Sequence, residues 1–137
     1  GPQTSYLRAL FLPIFKELGK HGYDFHVLQF IWGGPDATDS SREACDAFEI
    51  PYRPLPVWRR ARRLGPFASA VLGGREVRKA VDDWSIDILM PRSLMPALAV
   101  LSMGNRRDLR LVFDADGFAA DERVDFAGLS RTSFVYR

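Results

Sequence analysis

An acid-rich turn follows a short apolar run near the end of the sequence. Leu111, Val112 and Phe113 lead directly into Asp114, Asp116 and Gly117, and Asp121, Glu122 and Arg123 come four residues later. Open α/β sheets bind ligands at the carboxyl ends of their strands, so this is where such a fold places its chemistry. A helix starting near Asp121 can also present backbone N–H groups to an anion. The same acids equally serve as turn formers that cap the next helix. Arg92 occupies a comparable place just past an earlier apolar run, where a guanidinium can hold a phosphate or a sugar acid in bidentate fashion. A surface arginine beside Pro91 is the plain alternative. Trp58, Arg59, Arg60, Arg62 and Arg63 form the third signal, four arginines in five positions beside an aromatic ring. That composition suits an anionic membrane surface or a phosphate-bearing acceptor, and it also describes a solvated loop.

Other chemistries find little support. Cys45 is the single cysteine, which removes an internal disulfide framework and a cysteine-cluster metal site. Two histidines, His21 and His26, offer little to zinc, so no metal is expected. His26 reads as a packed or edge histidine within a strand, and Cys45 as a small buried apolar residue. Gly33-Gly34 and Gly73-Gly74 lack the strand–glycine–helix context of a dinucleotide fingerprint. No nucleic-acid partner is expected, because the basic run is short and lies in no recognisable binding module.

These residues must be positioned by a folded scaffold. The 137-residue chain is 47% hydrophobic and 26% charged, which allows one well-filled core and is too apolar for disorder. No stretch approaches the roughly 20 apolar residues of a membrane span. The net charge of +2 conceals a local patch: residues 51–79 carry eight bases against Glu76 alone, a net of +7. The segments on either side are net acidic, so the positive charge has one address.

Periodicity gives the elements. Leu7, Leu10, Phe11, Ile14, Phe15 and Leu18 repeat at helical spacing, predicting an amphipathic helix over 4–19 with Pro13 as its irregularity. Residues 25–31 read as a strand, 39–48 as a short helix, and 50–57 as an edge strand because of Pro51, Pro54 and Pro56. A helix over 66–84 follows, weakened at Gly73-Gly74, then a strand over 86–90, a helix over 95–103 and a strand over 111–113. Alternating strands and helices imply right-handed crossovers and a parallel sheet covered by helices on both faces, a Rossmann-like α/β fold.

Such folds begin with a strand, and this sequence begins with a helix. The expectation is a single domain over 1–137 cut from a longer protein, with the first strand missing. An empty position would then lie beside strand 25–31, inviting self-association or a partner strand.

The stretch at 113–123, Phe-Asp-Ala-Asp-Gly-Phe-Ala-Ala-Asp-Glu-Arg, resembles a passage of the group 1 (family 4) glycosyltransferases. Those proteins have the two-domain GT-B fold, and their N-terminal domain often reads Phe-Asp-x-Arg-Gly-Phe-Trp-Ala-Asp-Glu-Arg here. Residues 10–29, with Lys20-His21-Gly22, are similar to the family's first helix, basic turn and second strand. Residues 87–98, with Pro91-Arg92-Ser93, resemble its fourth-strand end. The resemblance implies an acceptor-side domain in which Asp114, Gly117, Asp121, Glu122 and Arg123 line or shape the cleft. Asp116 stands where the family has arginine, and Ala119 where it often has tryptophan. It further implies a retaining transfer from a nucleotide sugar to a polysaccharide, lipid-linked or envelope acceptor. The donor and the family's paired glutamates belong to a second domain, so no cofactor is expected on this chain and the fragment alone should be inactive. A cytoplasmic site, peripheral on the inner face of the membrane, would follow. The alternative from another class is a flavodoxin- or receiver-like module that binds proteins without catalysis. The absence of lysine after Lys79 removes the late lysine that a receiver needs.

Overall fold

A computed structural model describes residues 6–31, 35–57, 65–106 and 108–115. The chain is mixed α/β with short parallel strands. A π-helical segment, Leu7–Phe11, runs into α1 (Leu12–Gly19); β1 (Val27–Ile31), α2 (Pro35–Ala47), β2 (Tyr52–Pro56), α3 (Gly65–Trp84), β3 (Ile88–Leu89), α4 (Leu94–Ser102) and β4 (Arg110–Leu111) follow. β1 pairs with β2 and β3 with β4, both in parallel, so the described residues form two two-stranded sheets and not the one continuous sheet expected.

Proline explains two local departures. Pro13 has no N–H to give a carbonyl four residues back, and its ring would clash there in a regular helix. The preceding turn is widened instead, with the Leu12 N–H reaching the Leu7 carbonyl five residues back, and Pro13 falls in the first turn of α1. One extra residue per turn rotates the inward face. Leu12 becomes fully buried, while Leu10, Ile14 and Leu18 of the predicted stripe remain substantially exposed. In β2 the expected edge character holds. The Val27 N–H donates to the Pro51 carbonyl and the Val57 N–H to the Ile31 carbonyl. Odd-numbered residues of β2 therefore face β1, and Pro54 and Pro56 turn their missing donors outward.

Two clusters form the core. Leu12, Ala44, Cys45 and Ile50 pack with Leu7, Phe15, Val27 and Tyr52 on one side of β1–β2. Val77, Val81, Ala99 and Met103 pack on the other, against Leu28 and Phe30 from β1 and Leu89 from β3. The Gly73-Gly74 pair, expected to weaken α3, lets this second layer close. A Cβ on Gly73 would lie 3.3 Å from the Phe30 ring, and one on Gly74 would lie 2.8 Å from the backbone of α4 at Met103. The propensity cost of about 1 kcal/mol per glycine is offset by close helix–helix packing.

Contacts at the ends of α3 and α1 fix the strand directions. His26, just before β1, packs on Trp84 at 5.0 Å between ring centroids, and Arg53 in β2 pairs with Asp83 at 2.7 Å. β1 and β2 thus start beside the C-terminal end of α3, where β3 also starts after the Ser85 turn. At the far end, Arg92 beyond β3 lies over the ring of Phe11, and α1 runs back from there to the start of β1. β1 and β3 therefore run the same way.

Candidate functional site

β3 and β4 are brief as strands, but their pairing extends past both ends. The amides of Arg110, Val112 and Asp114 donate to the carbonyls of Asp87, Leu89 and Pro91, and the Ser93 amide donates to the Asp114 carbonyl at 2.9 Å. This ladder sets Arg92 and Asp114 side by side as a parallel bridge at the carboxyl ends of the strands. Their side chains then meet: Arg92 Nη1 donates to Asp114 Oδ2 at 2.7 Å. The guanidinium also lies 4.8 Å from the centroid of the Phe11 ring, within cation–π range. Both charges keep about a third or more of their surface exposed, 40% for Arg92 and 34% for Asp114.

Ser93 carries the cost of this arrangement. Its φ of 69° and ψ of 173° lie in a region that is essentially reserved for glycine. Strain of that kind costs about 1–3 kcal/mol and persists only where the surroundings impose it. Here the ladder does so, through the Ser93 N–H bond to Asp114 and through α4, which begins at the next residue. The kink turns the chain out of β3 at once, leaving the Arg92 side chain at the strand end.

The arrangement presents a planar, multi-donor cation fixed on one side by a carboxylate and on one face by an aromatic ring. A guanidinium so held recognises planar anions and vicinal hydroxyls, while the adjacent carboxylate accepts hydrogen bonds from hydroxyls. At the same end of the strands, a cavity of about 500 Å³ is lined by Phe30, Leu55 and Pro56 of the first sheet and Leu72, Gly73, Arg75 and Glu76 of α3. It is a depression open to solvent and not an enclosed cavity. Among the described residues no group of three histidine, cysteine or acidic side chains could hold a metal ion.

The sequence marks Arg92 and Asp114 separately, and the structure brings them together as a pair. Helical spacing places Phe11 only on the apolar face of a helix, whereas in the structure it ends the π-helical turn and lies under Arg92. Asp116, Gly117, Asp121, Glu122 and Arg123 lie outside the described residues, as do Trp58, Arg59, Arg60, Arg62 and Arg63. Cys45 is fully buried, and its thiol is pushed up to about 11 by burial, with a smaller contribution from Asp46. Tyr52 is also raised, chiefly by burial, and its hydroxyl donates to Gln29.

No family model matches the chain, and no curated protein or solved structure matches it either.

Proposed function

We propose that the chain is the acceptor-side domain of a glycosyltransferase with the two-domain GT-B fold, and that the Arg92–Asp114 pair contributes to acceptor binding. The observation that carries this reading is the position of the pair. A fixed guanidinium and a carboxylate stand at the carboxyl ends of parallel strands, and the stretch resembling group 1 glycosyltransferases begins at Phe113, one residue before Asp114. In the finer form of the fold, the two small sheets are parts of one Rossmann-like sheet with helices on both faces. α1 and α2 on one side of β1–β2, with α3 and α4 on the other, support it.

In this reading the parent enzyme moves a sugar from a nucleotide sugar to an acceptor with retention of configuration, and a second domain holds the donor. Arg92 pairs with an anionic group of the acceptor, Asp114 keeps the guanidinium oriented, and the 500 Å³ cavity accommodates a less polar portion. The domain works beside an anionic membrane surface, to which Arg59, Arg60, Arg62 and Arg63 contribute attraction. The exposed Arg75, Arg78 and Lys79 of α3 extend that charge, next to the exposed Val71 and Leu72. No helix among the described residues is long and apolar enough to cross a membrane.

Binding of the 137-residue chain to an array of neutral, uronic-acid and phosphorylated oligosaccharides tests the proposal. The expected result is retention of an anionic class by the native chain and its loss in Arg92→Ala, with Arg110→Ala as a folded control. Undiminished binding by Arg92→Ala, or no oligosaccharide bound at all, contradicts it.

A further inference from the structure

The Arg92 guanidinium is held by two kinds of contact that come from separate parts of the chain. Asp114, placed by the β3–β4 ladder, accepts a hydrogen bond from Nη1 at 2.7 Å. One such bond fixes a distance and not a plane. The Phe11 ring, its centroid 4.8 Å from Cζ, supplies the second contact. Phe11 is anchored in its turn. It ends the π-helical turn Leu7–Phe11, in which the Leu12 N–H bonds to the Leu7 carbonyl, and it lies four residues before Phe15 on the same face. The rings of Phe11 and Phe15 are 5.9 Å apart and tilted by 36°, and Phe15 stacks on Phe25 at 4.4 Å with 9° between the planes. Phe15 also packs against the buried cluster of Leu12, Ala44, Cys45 and Ile50, and Phe25 stands two residues before β1. A row of rings therefore joins the guanidinium in the open region to the enclosed core.

We infer that Phe11 is a positioning residue for Arg92: the ring row sets the plane of the guanidinium, which one hydrogen bond to Asp114 does not, and so sets the direction in which Arg92 meets a ligand. Bidentate recognition of a planar carboxylate needs two parallel N–H···O bonds in one plane. A guanidinium whose plane is fixed beforehand gives up less rotational freedom in making them, and it binds more tightly for that reason. Removing the ring leaves the charge in place and takes away its orientation. The effect on binding rests on the reading of Arg92 as an acceptor contact; the effect on the guanidinium itself does not.

The experiment follows the Arg92 side-chain N–H resonances of the 137-residue chain, with and without a uronic-acid oligosaccharide. In the ligand-free native chain, ring current should displace the Arg92 Nε proton upfield of that of the exposed Arg110. Phe11→Leu should abolish the displacement, and Phe11→Met, apolar and of similar volume, should do the same. Phe11→Tyr keeps the ring and should retain it. Affinity for the oligosaccharide should fall about tenfold in Phe11→Leu, the effect of a partly desolvated cation–π contact. In Phe11→Tyr it should stay within about twofold of the native chain. A residue that served packing alone would not separate these variants by the Arg92 resonance. The inference is overturned if that resonance is not displaced in the native chain or does not respond to loss of the ring. It is equally overturned if the resonance responds while oligosaccharide affinity holds. A native chain that binds no oligosaccharide removes the acceptor reading, and the resonances then decide by themselves whether Phe11 positions Arg92.

Discussion

The two sheets share a helical floor and differ in what lies above them. β1–β2 is enclosed: α1 and α2 cover one face through Leu12, Ala44, Cys45 and Val27, while α3 and α4 cover the other through Val77 and Ala99. β3–β4 has cover on the Leu89 side, yet Ile88, Met90, Val112 and Phe113 are each about half exposed. The backbone pairing is still similar in extent, since the β3–β4 ladder continues from the Arg110–Asp87 bond to the Arg92–Asp114 bridge. The open sheet nevertheless carries the charged pair at its end and the strained Ser93. Buried packing is concentrated in the first region, and the partly exposed charged pair lies in the second.

Truncation separates the two most sharply. Leu12→Ala removes a fully buried side chain from the enclosed region and should cost about 2–5 kcal/mol in denaturant unfolding. Met90→Ser in the open region should stay within about 1 kcal/mol, because half of that side chain already meets solvent. Similar losses at both sites would erase the distinction.

The shared floor gives the next effect. Gly74→Ala improves helix propensity by about 1 kcal/mol, but its Cβ meets the α4 backbone. The net result should be destabilisation by about 1–3 kcal/mol, read from the unfolding midpoint. A more stable variant would show that α3 and α4 do not approach as closely as described.

Titration of Cys45 sharpens the enclosed side. Its thiol has a folded value of about 11 against an ordinary 9.0, so the fold favours the protonated form. The stabilisation is complete below pH 9 and is lost as pH rises toward 11, where the unfolded chain ionises first. Thermal unfolding of the native chain should therefore fall more steeply over that range than that of Cys45→Ala, and a thiol reagent at pH 8 should react only on unfolding. Parallel curves for the two proteins would place Cys45 in a wetter site.

The smallest stability effect belongs to the candidate site. Arg92 and Asp114 are partly exposed, and an ion pair so hydrated contributes at most about 1 kcal/mol. Arg92→Ala should scarcely move the melting temperature while abolishing ligand binding. A large loss of stability would make the pair a structural clamp.

The fold's rhythm was readable from the residues because apolar periodicity and proline act locally. The edge placement of β2 follows from Pro54 and Pro56, and the burial of Cys45 from its position on a short helix. The inward rotation of Leu12 was not readable, since helical spacing alone points to Leu10 and Ile14; the widened turn before Pro13 intervenes. The grouping of the described strands into two pairs was not readable either, because periodicity marks a strand and not its neighbour. At the site, Arg92 and Asp114 were each identifiable as strand-end residues. Their pairing depends on the register of β3 with β4, and Phe11 on a turn 81 residues earlier in the chain, which no local pattern encodes.

The most direct test of the open region as the ligand-binding side is an amide NMR titration with a uronic-acid oligosaccharide. The account predicts shifts centred on Arg92, Ser93 and Asp114, with the Phe11 ring following and Cys45 and Ile50 unmoved. Shifts absent at Arg92 and Asp114, or centred instead on the enclosed sheet, would contradict it.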